Sequence, residues 1–265
     1  MRKIEAVIFD WAGTTVDFGS MAPVQAFVAA FQRFGITPTV EEVRKPMGML
    51  KWDHVHTMLQ MDRISSEWER VHGRPWEKAD VDEVYGVSET SILDILKDFA
   101  EPKPFVLEAV NQLRERSIKI GSTTGYTRQM MEIVTEEAKK RGYAPDAYFT
   151  PDMTENKGRP YPYMVFRNLE ALNVSSVNGA IKVGDTAADI KEGKNAGLIS
   201  VGVLEGSSVM GLSEEEYDRL TREEKDDLAE KARAVYRECG ADYVIDNFSQ
   251  LPALIEQIER DSRIF

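Results

Sequence analysis

Apolar and polar positions fall along the chain in two kinds of block. Short apolar runs rich in β-branched residues are typical of strands buried on both faces, and longer runs with apolar residues three or four apart are typical of helices. The short runs predict six strands, at residues 4–9, 118–123, 146–150, 180–184, 199–203 and 242–245. From residue 105 onward they alternate with helical segments, which predicts an α/β fold with a doubly wound parallel sheet.

Residues 18–102 depart from this alternation, because they contain helical patterns and no convincing strand. The helical signals are a run ending at Gly35, a capping box of Thr39 and Glu42, a run at residues 50–61 and a long run from about Asp80 to Phe99. We therefore expect a helical cap domain at residues 18–102, inserted into a core domain of residues 1–17 and 103–265. Residues 213–239 are predicted to form one charged helical stretch over the last strand.

The charge balance narrows the range of partners. The chain has 45 acidic and 33 basic residues and a formal net charge of −12, which disfavours nonspecific binding to nucleic acid or to an anionic membrane. No apolar stretch approaches the length of a membrane span. The single cysteine, Cys239, excludes an intrachain disulfide and fits a reducing compartment. We expect a cytoplasmic protein with no nucleic-acid or membrane partner.

Candidate catalytic side chains stand at the ends of the predicted strands. Asp10 ends the first run, where an open parallel sheet binds its ligand, and a carboxylate there can attack phosphorus. Thr124 and Gly125 follow the second run, and a hydroxyl together with backbone N–H groups can bind a phosphoryl oxygen. Arg159 can neutralise phosphoryl charge with a bidentate fork. Asp185 ends the fourth run, and carboxylates at such a position suit Mg²⁺.

Taken alone, each of these residues also has an ordinary structural explanation. Asp10, Thr124 and Asp185 can be turn or helix-capping residues. Arg159 can belong to a surface ion pair. Asp189 follows Asp185 by one helical turn and can orient that carboxylate, or it can hold an arginine or a lysine.

Together, the order and spacing of these residues resemble the haloacid dehalogenase superfamily of phosphotransferases across the predicted core domain. The resemblance implies that Mg²⁺ is held by the carboxylates of Asp10 and Asp185 and by the backbone carbonyl of Ala12. It also favours Arg159 over the neighbouring Lys157 as the cation that binds phosphate.

Position 12 departs from the phosphatases of that superfamily, which usually carry a second aspartate there as the acid for the leaving group. Ala12 cannot donate a proton, whereas an alkoxide leaving group benefits from a general acid. Either the protein is a weakened or inactive relative, or its leaving group needs no proton at that point. A carbon leaving group satisfies the second condition if a lysine has first formed an iminium with an adjacent aldehyde.

The cap segment supplies such a lysine. The segments IEAVIFDWAGTTVD, KPMGMLKWDHV, IKIGSTTGYTRQMM, GRPYPYM and IKVGDTAADIKEGKNAG resemble the phosphonoacetaldehyde hydrolase family. The resemblance implies hydrolysis of phosphonoacetaldehyde to acetaldehyde and phosphate, with a Schiff base on Lys51 and an aspartyl phosphate on Asp10. It also implies supporting roles for Met47, His54 and Tyr126, and a homodimer formed through the cap.

Two rival functions stay open at this point. One is a phosphomonoesterase or sugar-phosphate mutase of the same superfamily, and the other is a non-catalytic scaffold relative. Without the resemblance, Lys51 would be interpreted as a solvated lysine near a helix start and His54 as a surface or satisfied histidine. Met47 would be interpreted as a packing residue.

Overall fold

The computed structural model describes residues 3–261 and contains one six-stranded sheet. Its strands are Ala6–Phe9 (β1), Lys119–Thr123 (β2), Ala147–Phe149 (β3), Ala180–Gly184 (β4), Ile199–Val203 (β5) and Tyr243–Ile245 (β6). The strand order is β3-β2-β1-β4-β5-β6, and all neighbouring strands are parallel. This is a common order of doubly wound sheets, and all six predicted strands are confirmed, each within its predicted run.

Twelve helices surround and extend this sheet within the described residues. They are Met21–Arg33 (α1), Val40–Arg44 (α2), Lys51–Leu59 (α3), Asp62–His72 (α4), Lys78–Ile95 (α5), Val106–Glu115 (α6), Arg128–Lys140 (α7), Tyr163–Ala171 (α8), Ala187–Asn195 (α9), Glu214–Asp218 (α10), Arg222–Glu238 (α11) and Leu251–Asp261 (α12). The central strand shows why its sequence is apolar throughout: Val7 and Phe9 join one hydrophobic cluster, and Ala6 and Ile8 join another. Both faces of β1 are therefore covered.

Helices α1 to α5 lie between β1 and β2 in the chain and build a hydrophobic cluster of their own. Its largest members are Phe27, Phe31 and Trp68, all buried. The capping box of Thr39 and Glu42 is confirmed at the start of α2. An inserted helical cap with a separate core is therefore present, as the sequence predicts.

Two features of the cap helices differ from the prediction. The long helix ends at Ile95, and Leu96–Phe99 continue as a short 3-10 helix. The analysis of the sequence also missed α4. Its sequence is mostly polar, and its buried residues Ile64 and Trp68 lie four positions apart, so the helical spacing was present in the sequence and was overlooked.

The charged helical stretch predicted for residues 213–239 is confirmed as helical, but it is divided into two helices, α10 and α11. Ser213 and Thr221 each begin a capping box, so two helix starts occur where the charge pattern suggested one helix. On α11, Tyr236 packs against Gly202 of β5, and its hydroxyl donates to the backbone oxygens of Asp185 and Val203, each at 2.9 Å. The segment thus supports the strand ends at the candidate site.

Two linkers join the cap helices to the sheet and contact each other. Val16 pairs with Pro102 in an antiparallel bridge, and the Lys103 backbone N–H donates to the Thr15 oxygen at 2.9 Å. The buried Lys103 ammonium donates to the Gly13 oxygen, in the loop that follows β1. Within residues 3–261, the helices are too short or too polar to cross a membrane.

Candidate active site

Asp10 lies directly after β1, at the point where the strand order reverses between β1 and β4. Its backbone N–H donates to the Val183 oxygen at 3.1 Å, and its side chain is buried. The following loop turns back on itself and brings Gly13 against Asp185, in a left-handed conformation with φ of 84°. A Cβ on Gly13 would lie 2.2 Å from Asp185 Oδ2, so only glycine allows this approach.

Asp185 is fully buried beside Asp10, with hydrogen-bond donors on both of its carboxylate oxygens. The Thr14 hydroxyl donates to Oδ1 at 2.8 Å, and the Ser208 backbone N–H donates to Oδ2 at 2.7 Å. Thr186, rather than Asp185, caps α9 and shares a capping box with Asp189. The interpretation of Asp185 as the cap of that helix is therefore wrong.

Three carboxylates crowd together here, since oxygens of Asp10, Asp185 and Asp189 lie within 4.8 Å of one another. Burial and the neighbouring carboxylates of Asp10 and Asp189 raise the pKa of Asp185 above its ordinary value. Buried carboxylate oxygens of this kind are suitable ligands for a hard divalent cation. Asp10 and Asp185 are the better candidates to hold one, because Asp189 is ion-paired with two cations, Arg159 at 3.1 Å and Lys182 at 2.8 Å, whereas Asp10 is ion-paired within residues 3–261 with Arg159 only.

Arg159 is buried and ion-paired with three carboxylates. Its Nη2 lies 2.6 Å from Asp10 Oδ1, its Nη1 lies 3.1 Å from Asp189 Oδ1, and its Nε lies 3.1 Å from Glu192 Oε2. Burial alone would lower the pKa of Arg159, but the three carboxylates outweigh it and hold the pKa above its ordinary value. The interpretation of Arg159 as a surface ion pair is wrong.

Lys157 lies apart from this network. Its side chain is half exposed, its ammonium is paired with Glu155 at 3.4 Å, and it stands 5.2 Å from the centre of the Tyr163 ring. Arg159 lines the cavity beside Asp10, whereas Lys157 does not. The structure therefore places the arginine, and not the lysine, at the candidate phosphoryl position.

Thr124 and Gly125 follow β2 and face the cap. The Thr124 hydroxyl accepts a hydrogen bond from the Tyr126 backbone N–H at 3.0 Å, whereas Thr127 caps α7, so the capping interpretation of Thr124 is wrong. A Cβ on Gly125 would lie 2.7 Å from the Met49 backbone oxygen in the cap. The absence of a side chain at Gly125 lets the cap backbone rest directly on the core.

The cap meets the core at two further points. A Cβ on Gly48 would lie 2.5 Å from the Thr186 hydroxyl, so this glycine also permits close contact. Arg44 reaches from α2 and donates through Nη1 to the backbone oxygens of Gly19, at 2.7 Å, and Ser208, at 3.3 Å. Because the Ser208 N–H holds Asp185, Arg44 connects the cap to a loop that supports the candidate metal site.

Lys51 is the first residue of α3 and is 4% exposed, so it is not the solvated lysine of the rival interpretation. Its ammonium lies 5.0 Å from the centre of the Tyr126 ring and 5.6 Å from that of Phe27. Within residues 3–261, the Lys51 ammonium makes no hydrogen bond and no ion pair. Burial lowers the pKa of Lys51 to about 8, although the charge of Asp10 opposes that shift.

The resemblance also named His54 and Met47 in the cap and Tyr126 in the core. His54 is fully buried and stacks on Phe27 with 4.0 Å between ring centres. Burial and the nearby Lys51 charge hold the pKa of His54 well below its usual range, so its imidazole is neutral. Met47 and Tyr126 are buried and line the same cavity as Lys51.

The cavity between cap and core is small, with a volume of about 20 Å³. Its lining residues from the two sides are Asp10, Ala12, Ser20, Met47, Gly48, Lys51, Thr124, Gly125, Tyr126, Arg159 and Thr186. One wall therefore carries fixed charges around Asp10, and the opposite wall carries a single amine. The chemistry of these lining groups suits a small phosphorylated or phosphonylated molecule.

The sequence analysis missed three buried polar residues beneath Asp10: Thr123, Lys182 and Glu192. Lys182 offered a signal, because it interrupts the apolar run of β4. A charge in a doubly covered strand must find partners, since an unpaired buried charge is costly. Glu192 gave no comparable signal, because acidic residues are ordinary on helices.

Comparisons with known proteins agree with this geometry. The model of the haloacid dehalogenase-like hydrolase family matches residues 4–197. A protein of Lysinibacillus sphaericus named phosphonoacetaldehyde hydrolase is 51% identical over 98% of this chain and 96% of its own length. A bifunctional phosphonoacetaldehyde hydrolase/aminoethylphosphonate transaminase of Clostridioides difficile is 45% identical over 98% of this chain and 41% of its own length.

Solved structures give the same grouping. The crystal structure of a phosphonoacetaldehyde hydrolase-like protein from Oleispira antarctica has a TM-score of 0.93 and 36% identity, over 97% of this chain and 93% of its own. A β-phosphoglucomutase from Clostridium difficile has a TM-score of 0.68 at 16% identity, over 99% of this chain and 100% of its own. The second likeness shows a shared fold alone.

Proposed function

The chain belongs to the phosphonoacetaldehyde hydrolases within the haloacid dehalogenase-like hydrolases, and from that premise we propose how its residues hydrolyse the C–P bond of phosphonoacetaldehyde. The observation that carries the proposal is Lys51, a buried amine without an ionic partner among residues 3–261, facing a cavity that Asp10 and Arg159 also line. Ala12 supports it, because no acid stands where an ester leaving group would need one.

Lys51 acts first. Its neutral amine attacks the aldehyde carbon, and the resulting carbinolamine takes up a proton and loses water to give an iminium on Lys51. A lysine with a pKa near 8 keeps part of its population neutral at neutral pH. The iminium can then accept the electron pair of the C–P bond, so the departing carbon becomes an enamine rather than a carbanion.

Asp10 acts second, as the nucleophile toward phosphorus. Its carboxylate forms a bond to phosphorus while the C–P bond breaks, which gives an aspartyl phosphate and the enamine. Arg159 and the backbone and hydroxyl of Thr124 hold the phosphoryl oxygens. Protonation of the enamine carbon and hydrolysis release acetaldehyde from Lys51, and water cleaves the aspartyl phosphate to release phosphate.

A divalent cation, which we propose to be Mg²⁺, would be held by Asp10, Asp185 and the Ala12 carbonyl and would neutralise charge on the phosphoryl group. Asp189 orients Arg159 rather than binding the ion. Met47, His54 and Tyr126 keep water away from Lys51 and thereby keep its pKa low.

We also propose the boundaries of the moving parts. The cap comprises residues 18–102, and opening at the two linkers would admit substrate, whereas closure would bring Lys51 to the core and exclude water. A homodimer formed through the cap and a cytoplasmic location complete the proposal. Light scattering of the purified protein tests the dimer by its mass.

The activity is tested with phosphonoacetaldehyde as substrate. We expect acetaldehyde and phosphate in equal amounts, loss of both in EDTA, and recovery with added Mg²⁺. A phosphate monoester such as glucose 1-phosphate serves as the control and should release far less phosphate. Faster phosphate release from the ester, with no acetaldehyde from phosphonoacetaldehyde, would instead support a phosphomonoesterase.

A further inference from the structure

A buried ionic cluster that the proposed reaction does not use lies beneath Asp10. Lys182 in β4 and Glu192 in α9 are both fully buried. The Lys182 ammonium lies 2.8 Å from Asp189 Oδ1 and 3.2 Å from Glu192 Oε2, and it donates to the Thr123 hydroxyl at 2.9 Å. Charged groups so deep in a protein are retained only where each has partners.

The same groups hold Arg159. Its Nη2 donates to the Thr123 hydroxyl at 2.9 Å as well as to Asp10, and its Nε donates to Glu192 Oε2 at 3.1 Å. The Thr123 hydroxyl in turn donates to Glu192 Oε2 at 2.8 Å. One glutamate oxygen therefore accepts hydrogen bonds from Arg159 and Thr123 and is also ion-paired with Lys182.

These shared contacts hold the Arg159 guanidinium in one orientation. Arg159 presents Nε to Glu192, Nη1 to Asp189 and Nη2 to Asp10, so each of its nitrogens has a carboxylate partner. Lys182 balances Asp189 and Glu192 from below, so these two carboxylates do not have to share Arg159 as their only cation. Nη2 can therefore stay beside Asp10, where it can donate a hydrogen bond to a phosphoryl oxygen.

We propose that Lys182, Glu192 and Thr123 are positioning residues that hold Arg159 for the phosphoryl group. This inference rests on the proposed role of Arg159 in binding that group. None of the three lines the cavity, so each acts through Arg159 rather than on the substrate.

The first test replaces Glu192 with glutamine, which keeps the shape of the side chain and removes its charge. We expect kcat/KM for phosphonoacetaldehyde to fall about 10- to 100-fold, as for a misplaced binding group. The Kd of inorganic phosphate, measured by calorimetry, should rise in parallel, whereas the Mg²⁺ concentration for half-maximal activity should change by less than about twofold. Glu259→Gln is the matched control, because it breaks the distant ion pair with Arg116. It should leave kcat/KM and the phosphate Kd unchanged.

The second test separates positioning from folding. Lys182→Met combined with Glu192→Gln removes one charge of each sign, so the melting temperature should recover relative to either single variant. The kcat/KM should stay low, because Arg159 still lacks its partner at Nε. Recovery of kcat/KM together with the melting temperature would show that the pair serves folding alone, and would overturn the proposal.

Two variants of the uncharged residue Thr123 provide the test if the Lys182 and Glu192 variants do not fold. Thr123→Val removes the shared hydroxyl at nearly constant volume, whereas Thr123→Ser keeps it. We expect weakened phosphate binding in the valine variant and rescue in the serine variant. Equal phosphate affinity in folded Thr123→Val, Glu192→Gln and wild type would refute the inference.

The phosphate measurement also separates this inference from the proposed function. Phosphate binding needs Arg159 but no C–P cleavage, so it remains informative if the wild type releases no acetaldehyde. In that case the proposed substrate is wrong, and the phosphate Kd of the variants still decides the role of Glu192.

Discussion

The cavity has a core wall, which includes Asp10 and Arg159, and a cap wall, which includes Lys51. The buried cations of these two walls differ in their partners. On the core wall, Arg159 touches three carboxylates and Asp185 accepts two hydrogen bonds. On the cap wall, the Lys51 ammonium lies 5.0 Å from the centre of the Tyr126 ring and 5.6 Å from that of Phe27, and it has no ion pair among residues 3–261. Both cations are almost fully buried, yet the pKa of Arg159 lies above its ordinary value, whereas burial lowers that of Lys51 to about 8.

The difference shows that partners, rather than burial alone, decide what a buried cation can do. A phosphoryl group needs a cation that keeps its charge throughout the reaction, and guanidinium with fixed carboxylate partners provides it. An imine needs an amine that loses its proton, and a lysine without a counter-ion at contact distance provides that. In the proposed reaction, the chemistry of the two substrate ends is divided between the two walls.

The largest expected loss of activity comes from replacing the nucleophile of the core wall. Asp10→Asn should lower kcat by about four powers of ten, because no other carboxylate replaces the attacking oxygen. Rapid-quench assays of phosphate release measure this, with circular dichroism as the control for folding. Appreciable steady-state turnover by highly purified Asp10→Asn would rule out the aspartyl phosphate.

The next largest loss of activity is expected when the positive charge of Arg159 is removed from the core wall. Arg159→Ala should cost about 2–4 kcal/mol of transition-state stabilisation, comparable to the loss of one preorganised donor. Steady-state kinetics should show a higher KM together with a lower kcat, because phosphoryl charge is present before and during the reaction. If kcat/KM of the folded variant matched wild type, another cation would have to hold the phosphoryl group.

A smaller, graded effect concerns the cap wall. Since the pKa of Lys51 is about 8 and only its neutral form attacks, the initial rate of imine formation should rise with pH and level off above that value. Below it, the rate should fall about tenfold for each pH unit. Rapid borohydride quenching across a pH series measures the rate.

Asp10→Asn sharpens this measurement. The Asp10 charge raises the pKa of Lys51, so its removal should move the profile to lower pH. A profile that shows no inflection near pH 8 in wild type, or one that moves to higher pH in the variant, would contradict the electrostatic account of Lys51.

The smallest expected effect tests the comparison at position 12. Ala12→Asp should leave C–P cleavage no faster, because the enamine needs no acid at that position. It should add at most slight hydrolysis of a phosphate monoester, and Ala12→Ser is the control for size without an acid. A marked gain in C–P cleavage in Ala12→Asp would show that a proton is needed there after all.

The core wall was largely predictable from the sequence, because its residues follow strand ends. Asp10 and Asp185 each follow a short apolar run, and parallel strands bring such ends to one edge of the sheet. The support beneath them was not predictable. Lys182 and Glu192 meet through the packing of α9 on β4, and periodicity does not encode which side chains face each other across that contact.

The cap wall was less predictable from the residues themselves. The helical pattern placed Lys51 near a helix start, where lysines are ordinarily solvated, and only the family resemblance together with Ala12 gave it a role. Its burial depends on Gly48 and Gly125, which let the cap backbone approach the core. Such long-range contact leaves no local pattern, so the low pKa of Lys51 follows from the structure alone.

The most direct test of the central claim is the mass of Lys51 after borohydride is added during turnover. The account predicts inactivation only when phosphonoacetaldehyde is present, with an ethyl group on Lys51 in wild type. Asp10→Asn should carry a phosphonoethyl group instead, because its C–P bond stays intact. Lys51→Arg, which keeps the charge but forms no imine, should show neither adduct nor C–P cleavage. An adduct on another lysine, or normal cleavage by Lys51→Arg, would contradict the division between the two walls.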